Sequence, residues 1–501
     1  MVNSASSCKN SSNHSSAKFL QICTLLSAWF PLLLAGALFF PTDPDLGYHL
    51  SIGRIVFESG FPHQDVFRSF SQVPEIAYSW LPDAVLWTAY NALGVNGLRL
   101  WVCSSLLLLA AVCSMLTLGI ESNRKRWLVC FVLSVSLIQA ALPRPRLWAL
   151  TMFALFLLIL TEQNCADRAR KRTNFLLMVF VISAIWANIH ISVFLAPVLA
   201  AVFAACRAIQ GNSSSTADFT FAVAVSSLGA ALSPYHFRLF SLIPTFAPGG
   251  QALVAENIIE LQGLFALQWP WPVWAFAALI LMAAWGAFAV ASLRSSGLGG
   301  CAPHLVAAIF LLLTISASRH CGFFVIAAAT SIAAGGVWTA RACVSEAAVG
   351  MLVAAVAIAA GWTQSPKAEA WYQFDPRSDL PLAAMTSLGG EINRSAGTER
   401  LNILSPFGTG HFVTFWLRER NLEKRAAVFL DGRTDELGIH RFEVAEKAYG
   451  GESGLTILDD NAINAVIAKP DSLLFDALES SDKWRKLGGD ERASVFIRAH
   501  N

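Results

Sequence analysis

Long apolar runs separated by short polar segments fill the chain as far as residue 364. Several of these runs approach the roughly 20 apolar residues that a helix needs to cross the hydrocarbon core of a bilayer. The runs lie near residues 19–40, 98–120, 127–142, 147–161, 174–189, 191–206, 219–232, 271–292, 303–317, 321–340 and 344–362. The pattern predicts an α-helical polytopic membrane protein with about 11 transmembrane helices, over residues 19–364.

From residue 365 onwards the pattern becomes that of a compact water-facing domain. Of the 70 Asp, Glu, Lys and Arg side chains in the chain, 38 fall within residues 366–501. These residues predict a soluble α/β domain over residues 365–501, in which helices cover a small sheet. Short buried-strand patterns alternate with helical stretches, the strands at 401–404, 427–430, 465–468 and 494–497 and the helices at 409–420, 438–449 and 472–480.

The composition limits the class of protein. Hydrophobic residues make up 55% of the 501 positions and charged residues only 14%, which is typical of an integral membrane protein. The formal net charge of +2 sums two very different regions and gives no reason to expect nucleic-acid binding. The chain also carries neither a Walker sequence nor a GxGxxG motif for nucleotide phosphates.

The distribution of basic residues predicts the topology. Residues 1–18 are polar and are predicted to form a disordered cytoplasmic tail. Two basic clusters, at 123–126 and 168–172, fall on the same side of the predicted spans as this tail. Because Lys and Arg concentrate on the cytoplasmic side of membrane proteins, this side is assigned as the inside. The odd number of predicted spans then places the domain at 365–501 outside the cytoplasm.

The same topology collects most remaining polar groups on the outer side. The first outer loop, residues 41–97, contains two short amphipathic helical patterns, at 52–58 and 84–90, which we expect to lie along the membrane interface. Charged groups at membrane depth are costly and usually persist because they line a functional site. The outer polar residues are Asp43, Asp45, His49, Arg144, Arg146, Asn188, His190, Tyr235, His236, Glu256, Glu260, Arg319 and His320.

Asp43 and Asp45 end the first apolar run and are the strongest acidic candidates. Pro44 stiffens the turn between them, so both carboxylates can face one point. Such a pair can bind a divalent cation such as Mg or Mn, or one member can act as a general base. On these two residues alone, a solvated helix cap is the simpler interpretation.

The arginines at outer helix ends suit phosphate groups. Arg144 and Arg146 flank Pro145, and Arg319 precedes His320 at another outer helix end. A guanidinium binds phosphate oxygens with paired hydrogen bonds, so these residues are candidates for a phospholipid or lipid-linked phosphate. Snorkelling of the side chains to the interface is the alternative interpretation.

Four further outer residues are candidate substrate ligands. Asn188 and His190 interrupt an apolar stretch, which indicates either a tight helical hairpin or a ligand-facing loop. Glu256 and Glu260 are four residues apart and would share one helical face. They are candidates to accept hydrogen bonds from substrate hydroxyls, and a solvated face is the alternative.

Two segments of the C-terminal domain follow predicted strands. Residues 431–435, Asp-Gly-Arg-Thr-Asp, lie where α/β proteins place ligand residues, although a plain turn with an Asp–Arg pair explains them as well. Residues 408–411, Gly-Thr-Gly-His, are predicted to open a helix and lack the spacing of a nucleotide-binding loop.

Taken together, these segments resemble bacterial polytopic membrane proteins related to the GT-C glycosyltransferases. The resemblance begins with the motif at residues 43–50, Asp-Pro-Asp-Leu-Gly-Tyr-His-Leu, and spans nearly the whole chain in order. It differs from the expected pattern at Ser79, Ser233 and Leu261. The other matching positions are Gly53, Gly60, Pro62, Asp65, Trp80-Leu81, Arg144-Pro145, 186–190, Pro234-Tyr235, Ile259-Glu260, Arg319-His320, 428–433, Asp435 and Gly438.

The resemblance implies a GT-C-like enzyme of the bacterial cytoplasmic membrane. Such an enzyme takes a sugar from a polyprenyl-phosphate donor and transfers it to a lipid or glycan acceptor outside the cytoplasm. By position, Asp45, with Asp43, would be the catalytic or metal-associated carboxylate. The implied substrate-binding residues are His49, Arg144, Asn188, His190, Glu260, Arg319 and His320.

Two other functions are compatible with the sequence. A non-catalytic envelope scaffold would depend on residues 366–501 and not on Asp45. A transporter of a lipid or a small anion would need charged or broken helices at the bilayer midplane, whereas the polar groups here lie at the outer helix ends. Glycosyl transfer is therefore the leading hypothesis.

Overall fold

The computed structural model describes most of the chain. The predicted tail at 1–18, the predicted span at 344–362 and Glu256 lie outside the described residues. The described residues are 27–38, 43–162, 168–246, 258–266, 272–296, 301–334, 380–394, 400–451 and 453–499.

Each predicted apolar run within the described residues coincides with a helix. Among these residues, three helical segments are long and apolar enough to cross a membrane, at 95–119, 191–209 and 273–292. This agrees with a membrane protein, and the number of spans stays a prediction. In chain order the helices are α1 (Phe30–Leu38), α2 (Leu46–Ser59), α3 (Trp80–Leu93), α4 (Val95–Leu116), α5 (Asn123–Ser136), α6 (Arg146–Glu162), α7 (Arg168–Ala187), α8 (Leu195–Ile209), α9 (Ser213–Ala230), α10 (Ile243–Phe246), α11 (Val273–Ser296), α12 (Cys301–Ser316) and α13 (Cys321–Ala334).

Helix α13 lies at the centre of the helical region. Its residues from Cys321 to Ala333 are buried on every side, as expected for an apolar helix surrounded by other helices. The ring of Phe323 lies 5.1 Å from Phe153 of α6 and 5.5 Å from Phe310 of α12. These contacts hold the start of α6, which carries Arg146, beside the start of α13.

The first outer loop contains the helices α2 and α3, which pack against each other. The predicted helical patterns at 52–58 and 84–90 are the central parts of these longer helices. At Gly53 a Cβ atom would lie 2.1 Å from the carbonyl oxygen of Asp83, so only glycine allows the helices to approach this closely. Close packing of α2 on α3 brings His49 next to Asp83.

The C-terminal region forms the predicted sheet. The strands that the structure describes are β1 (Leu401–Leu404), β2 (Ala426–Val428), β3 (Ala465–Ala468), β4 (Trp484–Gly489) and β5 (Ser494–Arg498). Their order in the sheet is β2-β1-β3-β5-β4, with β1 parallel to β2 and β3 and with β5 antiparallel to β3 and β4. The prediction of four strands is confirmed, and β4 is the one that the pattern did not indicate.

Helices cover both faces of this sheet, as predicted. These helices are α14 (Leu382–Arg394), α15 (Gly410–Glu419), α16 (Glu436–Tyr449), α17 (Gly454–Asp460) and α18 (Leu473–Glu479). One face of the sheet packs against Leu388 of α14 and Phe412 of α15, and the other packs against Phe442 of α16 and Leu474 of α18. The sheet is therefore buried on both sides, which suits its nearly continuous apolar strands.

The first outer loop is attached to the edge of the sheet. The backbone N–H of Ser69 donates to the carbonyl oxygen of Val428 at 2.8 Å, and Arg68 forms a parallel bridge with the same strand residue. Gly47 lets α2 pack on α15, since a Cβ there would lie 2.4 Å from the carbonyl oxygen of His411. The loop thus joins the helical region to the C-terminal domain.

Candidate functional site

A cavity of about 640 Å³ lies where the first outer loop, the ends of the helices and the C-terminal domain meet. Five of the predicted site residues line it, namely Asp45, His49, Arg144, Glu260 and Arg319. Residues from other segments complete the polar lining, among them Glu75, Tyr78, Arg146, His411 and Arg433. More than half of the nine predicted site residues therefore converge on one space, as a functional site requires.

Asp43 holds Arg144 in place at the base of this cavity. Its Oδ2 lies 2.5 Å from Nε of Arg144, and its Oδ1 accepts a hydrogen bond from the backbone N–H of Asp45 at 2.9 Å. The Asp43 side chain is fully buried, so the interpretation as a solvated cap is wrong for this residue. A buried carboxylate needs such a charged partner, and the pair fixes the direction in which Arg144 points.

Asp45, unlike Asp43, lines the cavity. It precedes α2 at the N-cap position, but its side chain makes no capping hydrogen bond. Instead, Oδ2 lies 3.3 Å from Nη2 of Arg144 and Oδ1 lies 3.2 Å from Nδ1 of His411. Burial alone would raise the pKa of Asp45, but Arg144 and His411 outweigh it and hold the pKa below its usual range. Asp45 is thus ionised at neutral pH and is a weak base.

A third carboxylate, that of Glu260, also contacts Arg144. Nη1 of Arg144 lies 2.9 Å from Oε2 of Glu260, which belongs to the short 3-10 helix Ile259–Leu261. Arg146 lies 3.8 Å from the same carboxylate oxygen and donates to the carbonyl oxygen of Arg319. These residues place cationic groups next to the carboxylates of the cavity.

The predicted divalent cation does not fit the acidic residues as they are arranged. Arg144 nitrogens lie within 3.3 Å of oxygens from Asp43, Asp45 and Glu260, so the guanidinium occupies the place where these carboxylates meet. In the part of the chain that the structure describes, no group of three or more His, Cys, Asp or Glu side chains is arranged to hold a metal. The requirement for Mg or Mn stays a prediction.

His49 forms a buried pair with Asp83 beside the cavity. Nδ1 of His49 lies 2.9 Å from Oδ1 of Asp83, and the hydroxyl of Ser79 donates to the other oxygen of Asp83 at 2.8 Å. Burial would lower the pKa of His49, but Asp83 and the nearby Asp45 and Asp43 raise it. Ser79, one of the departures from the expected family pattern, therefore supports a carboxylate of the site.

Two predicted ligands from the 188–190 segment are not part of the cavity lining. Asn188 accepts a hydrogen bond from the indole N–H of Trp80 at 2.8 Å and donates to the carbonyl oxygens of Ala184 and Leu232. Nδ1 of His190 accepts from the backbone N–H of Ser192 at 3.0 Å. These bonds give both residues a role in joining the turn to its neighbours.

His320 is also not part of the cavity lining. It ends the short 3-10 helix Ser318–His320, beside Arg319, which does line the cavity. Burial, together with the positive charges of Arg319 and Arg146, lowers the pKa of His320 to about 3. His320 is consequently neutral at physiological pH and adds no charge to the site.

A second set of charged side chains joins the first outer loop to the C-terminal domain. Arg68 binds Oδ2 of Asp65 at 2.6 Å and forms two 2.7 Å hydrogen bonds to the carboxylate of Asp435. Arg433 lies 2.9 Å from Asp65 and 2.5 Å from Glu75. The predicted turn at residues 431–435 is therefore mainly a structural joint, although Arg433 also reaches the cavity.

The main residue that the sequence did not assign to the site is His411. It was predicted only to open a helix, and it does lie at the start of α15, just after strand β1 and residues 405–409. The ends of parallel strands commonly carry ligand residues, which is the signal that could have singled it out. Its approach to Asp45 depends on domain docking, which no local pattern reveals.

Comparison with solved structures identifies membrane enzymes of the same fold. The oligosaccharyltransferase AglB from Archaeoglobus fulgidus, in complex with an inhibitory peptide and a dolichol-phosphate, has a TM-score of 0.62 and 11% identity, covering 90% of this chain and 70% of its own. ArnT from Cupriavidus metallidurans bound to undecaprenyl phosphate has a TM-score of 0.55 and 14% identity, covering 97% and 98%. No family model and no curated protein sequence matches the chain. The chain has the fold of GT-C glycosyltransferases, which confirms the predicted resemblance at the level of fold.

Proposed function

We propose that this protein is a membrane glycosyltransferase that moves a sugar from a polyprenyl-phosphate donor to a lipid or glycan acceptor on the extracytoplasmic face. One observation carries the proposal. An ionised carboxylate, Asp45, faces a cavity that also presents the guanidinium groups of Arg146 and Arg319. A solved protein of the same fold, ArnT, was determined with undecaprenyl phosphate bound.

The two signs of charge suit the two partners of such a transfer. Arginines stabilise the charge that develops on a departing phosphate, and they do so best in a cavity from which water is largely excluded. Carboxylates accept hydrogen bonds from sugar or acceptor hydroxyls. Asp45 would hold the acceptor hydroxyl, while Arg146 and Arg319 would face the donor phosphate.

Arg144 links these two halves of the site. Its guanidinium contacts Asp43, Asp45 and Glu260 at once. A donor phosphate that binds beside it would compete with these carboxylates for hydrogen bonds. In this account Arg144 positions Asp45 before the donor arrives and then shares in binding the phosphate.

The test is sugar transfer from a panel of polyprenyl-phosphate sugars in proteoliposomes. Asp45→Asn keeps the shape of the side chain and removes its charge, and we expect it to lower the transfer rate roughly 100-fold or more. Asp490→Asn, a change at an exposed turn of the C-terminal domain, serves as the matched control. Wild-type transfer that is unchanged in Asp45→Asn would contradict the role of Asp45, and a scaffold function would then be preferred.

A further inference from the structure

His49 and Asp45 share one face of the cavity. They lie four residues apart at the start of α2, where the backbone N–H of His49 donates to the carbonyl oxygen of Asp45 at 3.1 Å. Residues at this spacing lie one above the other on a helix. Both side chains line the cavity, so a ligand that reaches Asp45 also meets the imidazole of His49.

Asp83 fixes the orientation of that imidazole. Its carboxylate is fully buried and is flanked by Nδ1 of His49 and by the hydroxyl of Ser79. Burying a carboxylate is costly, so its position opposite a histidine of the cavity calls for a reason. With Nδ1 held by Asp83, Nε2 is the ring nitrogen that a ligand in the cavity would meet. A carboxylate that orients a histidine in this way is the usual arrangement of a general base.

Asp45 is poorly suited to the same task. Arg144 and His411 both contact its carboxylate and stabilise the charged form. A carboxylate stabilised in this way holds a proton weakly, and proton transfer to it from a hydroxyl is unfavourable. Asp45 can bind and orient a hydroxyl, but a second group is needed to take the proton.

We propose that His49, oriented by Asp83, is the general base that accepts the proton of the acceptor hydroxyl, an inference that rests on the proposed glycosyl transfer. The hydroxyl oxygen forms a bond to the anomeric carbon of the sugar. The bond from that carbon to the phosphate oxygen breaks, and its electron pair leaves with the polyprenyl phosphate. The hydroxyl proton passes to Nε2 of His49 and is later released to water. His49 is then a catalytic residue, and Asp83 is a positioning residue.

The charges around His49 determine how its activity depends on pH. Asp83 approaches from α3, Asp43 and Asp45 from the segment before α2, and His190 from the turn after α7, while His411 of α15 reaches Asp45. The three carboxylates together raise the pKa of His49 despite its burial. His49 must be neutral to accept a proton, so the transfer rate falls as the pH drops through this raised pKa.

The experiment measures the pH profile of sugar transfer in proteoliposomes for the full chain and three variants. His49→Gln is expected to lower kcat roughly 100-fold or more and to remove the acidic limb of the profile. Asp83→Asn is expected to lower kcat and to shift the acidic limb to lower pH, because loss of the carboxylate lowers the pKa of His49. His63→Gln, in an exposed part of the same loop, should match the wild type.

Binding of undecaprenyl phosphate and thermal unfolding in detergent show whether each variant is folded. A His49→Gln protein that keeps the wild-type rate and profile would overturn the inference and leave the proposed function intact. A wild-type protein that transfers no sugar from any donor would overturn the proposed function and the inference with it. If Asp83→Asn does not fold, the His49→Gln profile decides the question alone.

Discussion

Two clusters of arginines and carboxylates lie close together in this protein and differ in their exposure. The cavity cluster consists of Asp43, Asp45, Arg144 and Glu260. The joint cluster consists of Asp65, Arg68, Glu75, Asp431, Arg433 and Asp435. In the cavity cluster, the side chains of Asp45 and Glu260 are 33% and 38% exposed. In the joint cluster, the side chains of Arg68 and Asp65 are 0% and 1% exposed.

We interpret this difference as separating charges that are available to a ligand from charges that hold the structure together. In the joint cluster, Arg68 makes paired hydrogen bonds to Asp435 and is sealed between two domains. In the cavity cluster, one guanidinium is divided among three carboxylates, and two of these keep a solvent-accessible side. A ligand can therefore compete for the groups of the cavity cluster. In the joint cluster, Arg68 and Asp65 are buried away from the cavity, whereas Glu75, Arg433 and Asp435 also line it.

The largest effect on stability is expected from Arg68→Ala. It would leave Asp65 buried without its closest cation and remove the paired bonds to Asp435. Breaking a buried ion pair on one side typically costs about 3–5 kcal/mol. Denaturant titration in detergent would measure the loss. Arg485→Ala removes a surface pair with Glu391 and should cost less than about 1 kcal/mol. Equal effects of the two changes would contradict the structural role of the joint cluster.

Arg319→Ala is expected to weaken binding of polyprenyl phosphate and leave the fold intact. The change removes the guanidinium but keeps the carbonyl oxygen to which Arg146 donates. Loss of one hydrogen bond from a charged group, worth about 1.5–3 kcal/mol, corresponds to a loss of affinity of roughly 10-fold to 100-fold. Direct binding in detergent would measure it. Unchanged affinity would show that the phosphate does not reach this side of the cavity.

Asn188→Ala tests whether Asn188 stabilises the fold or binds a ligand. It removes the acceptor of the Trp80 indole N–H and two hydrogen bonds to carbonyl oxygens. We expect a loss of about 1–2 kcal/mol in the free energy of unfolding, with little change in lipid affinity. Trp80→Phe, which removes only the indole donor, should show part of the same loss. A drop in affinity without a loss of stability would instead restore Asn188 as a ligand.

The smallest effect is expected on removal of divalent cations. Arg144 already supplies a positive charge to the three carboxylates of the cavity cluster. Sugar transfer should therefore persist in the presence of a chelator at a rate close to that of the untreated protein. Loss of transfer on chelation, followed by recovery on adding Mg or Mn, would show that a cation joins the site when substrate is bound.

Much of the fold could be predicted from local patterns. The long apolar runs predict the helices, and the short apolar runs predict the strands β1, β2, β3 and β5. In both cases the buried residues follow one another along the segment, so a local pattern reveals them. Strand β4 was missed because Trp484 is followed by Arg485 and Lys486, and an edge strand keeps such residues exposed. The extended lengths of α2 and α3 were missed because polar residues near their starts, His49 and Asp83, interrupt their apolar faces.

The site was predictable where its residues share the outer ends of helices. Asp45, Arg144 and Glu260 were singled out by topology, and the structure brings them together. His411 and the pairing of Asp83 with His49 were not predicted, because each depends on contacts between segments distant in the sequence or on helix packing. Asn188 was a candidate ligand because its amide can form hydrogen bonds with a substrate. The same amide can instead bond to backbone groups at a turn, and in the structure it does so.

A structure of the full chain in lipid with bound undecaprenyl phosphate would show directly whether the cavity is the donor site. We expect the phosphate to lie inside the cavity, within hydrogen-bond distance of Arg146 or Arg319, together with Asp45 and His49. A phosphate held elsewhere on the protein, with the cavity cluster unchanged and out of its reach, would contradict the proposed donor site.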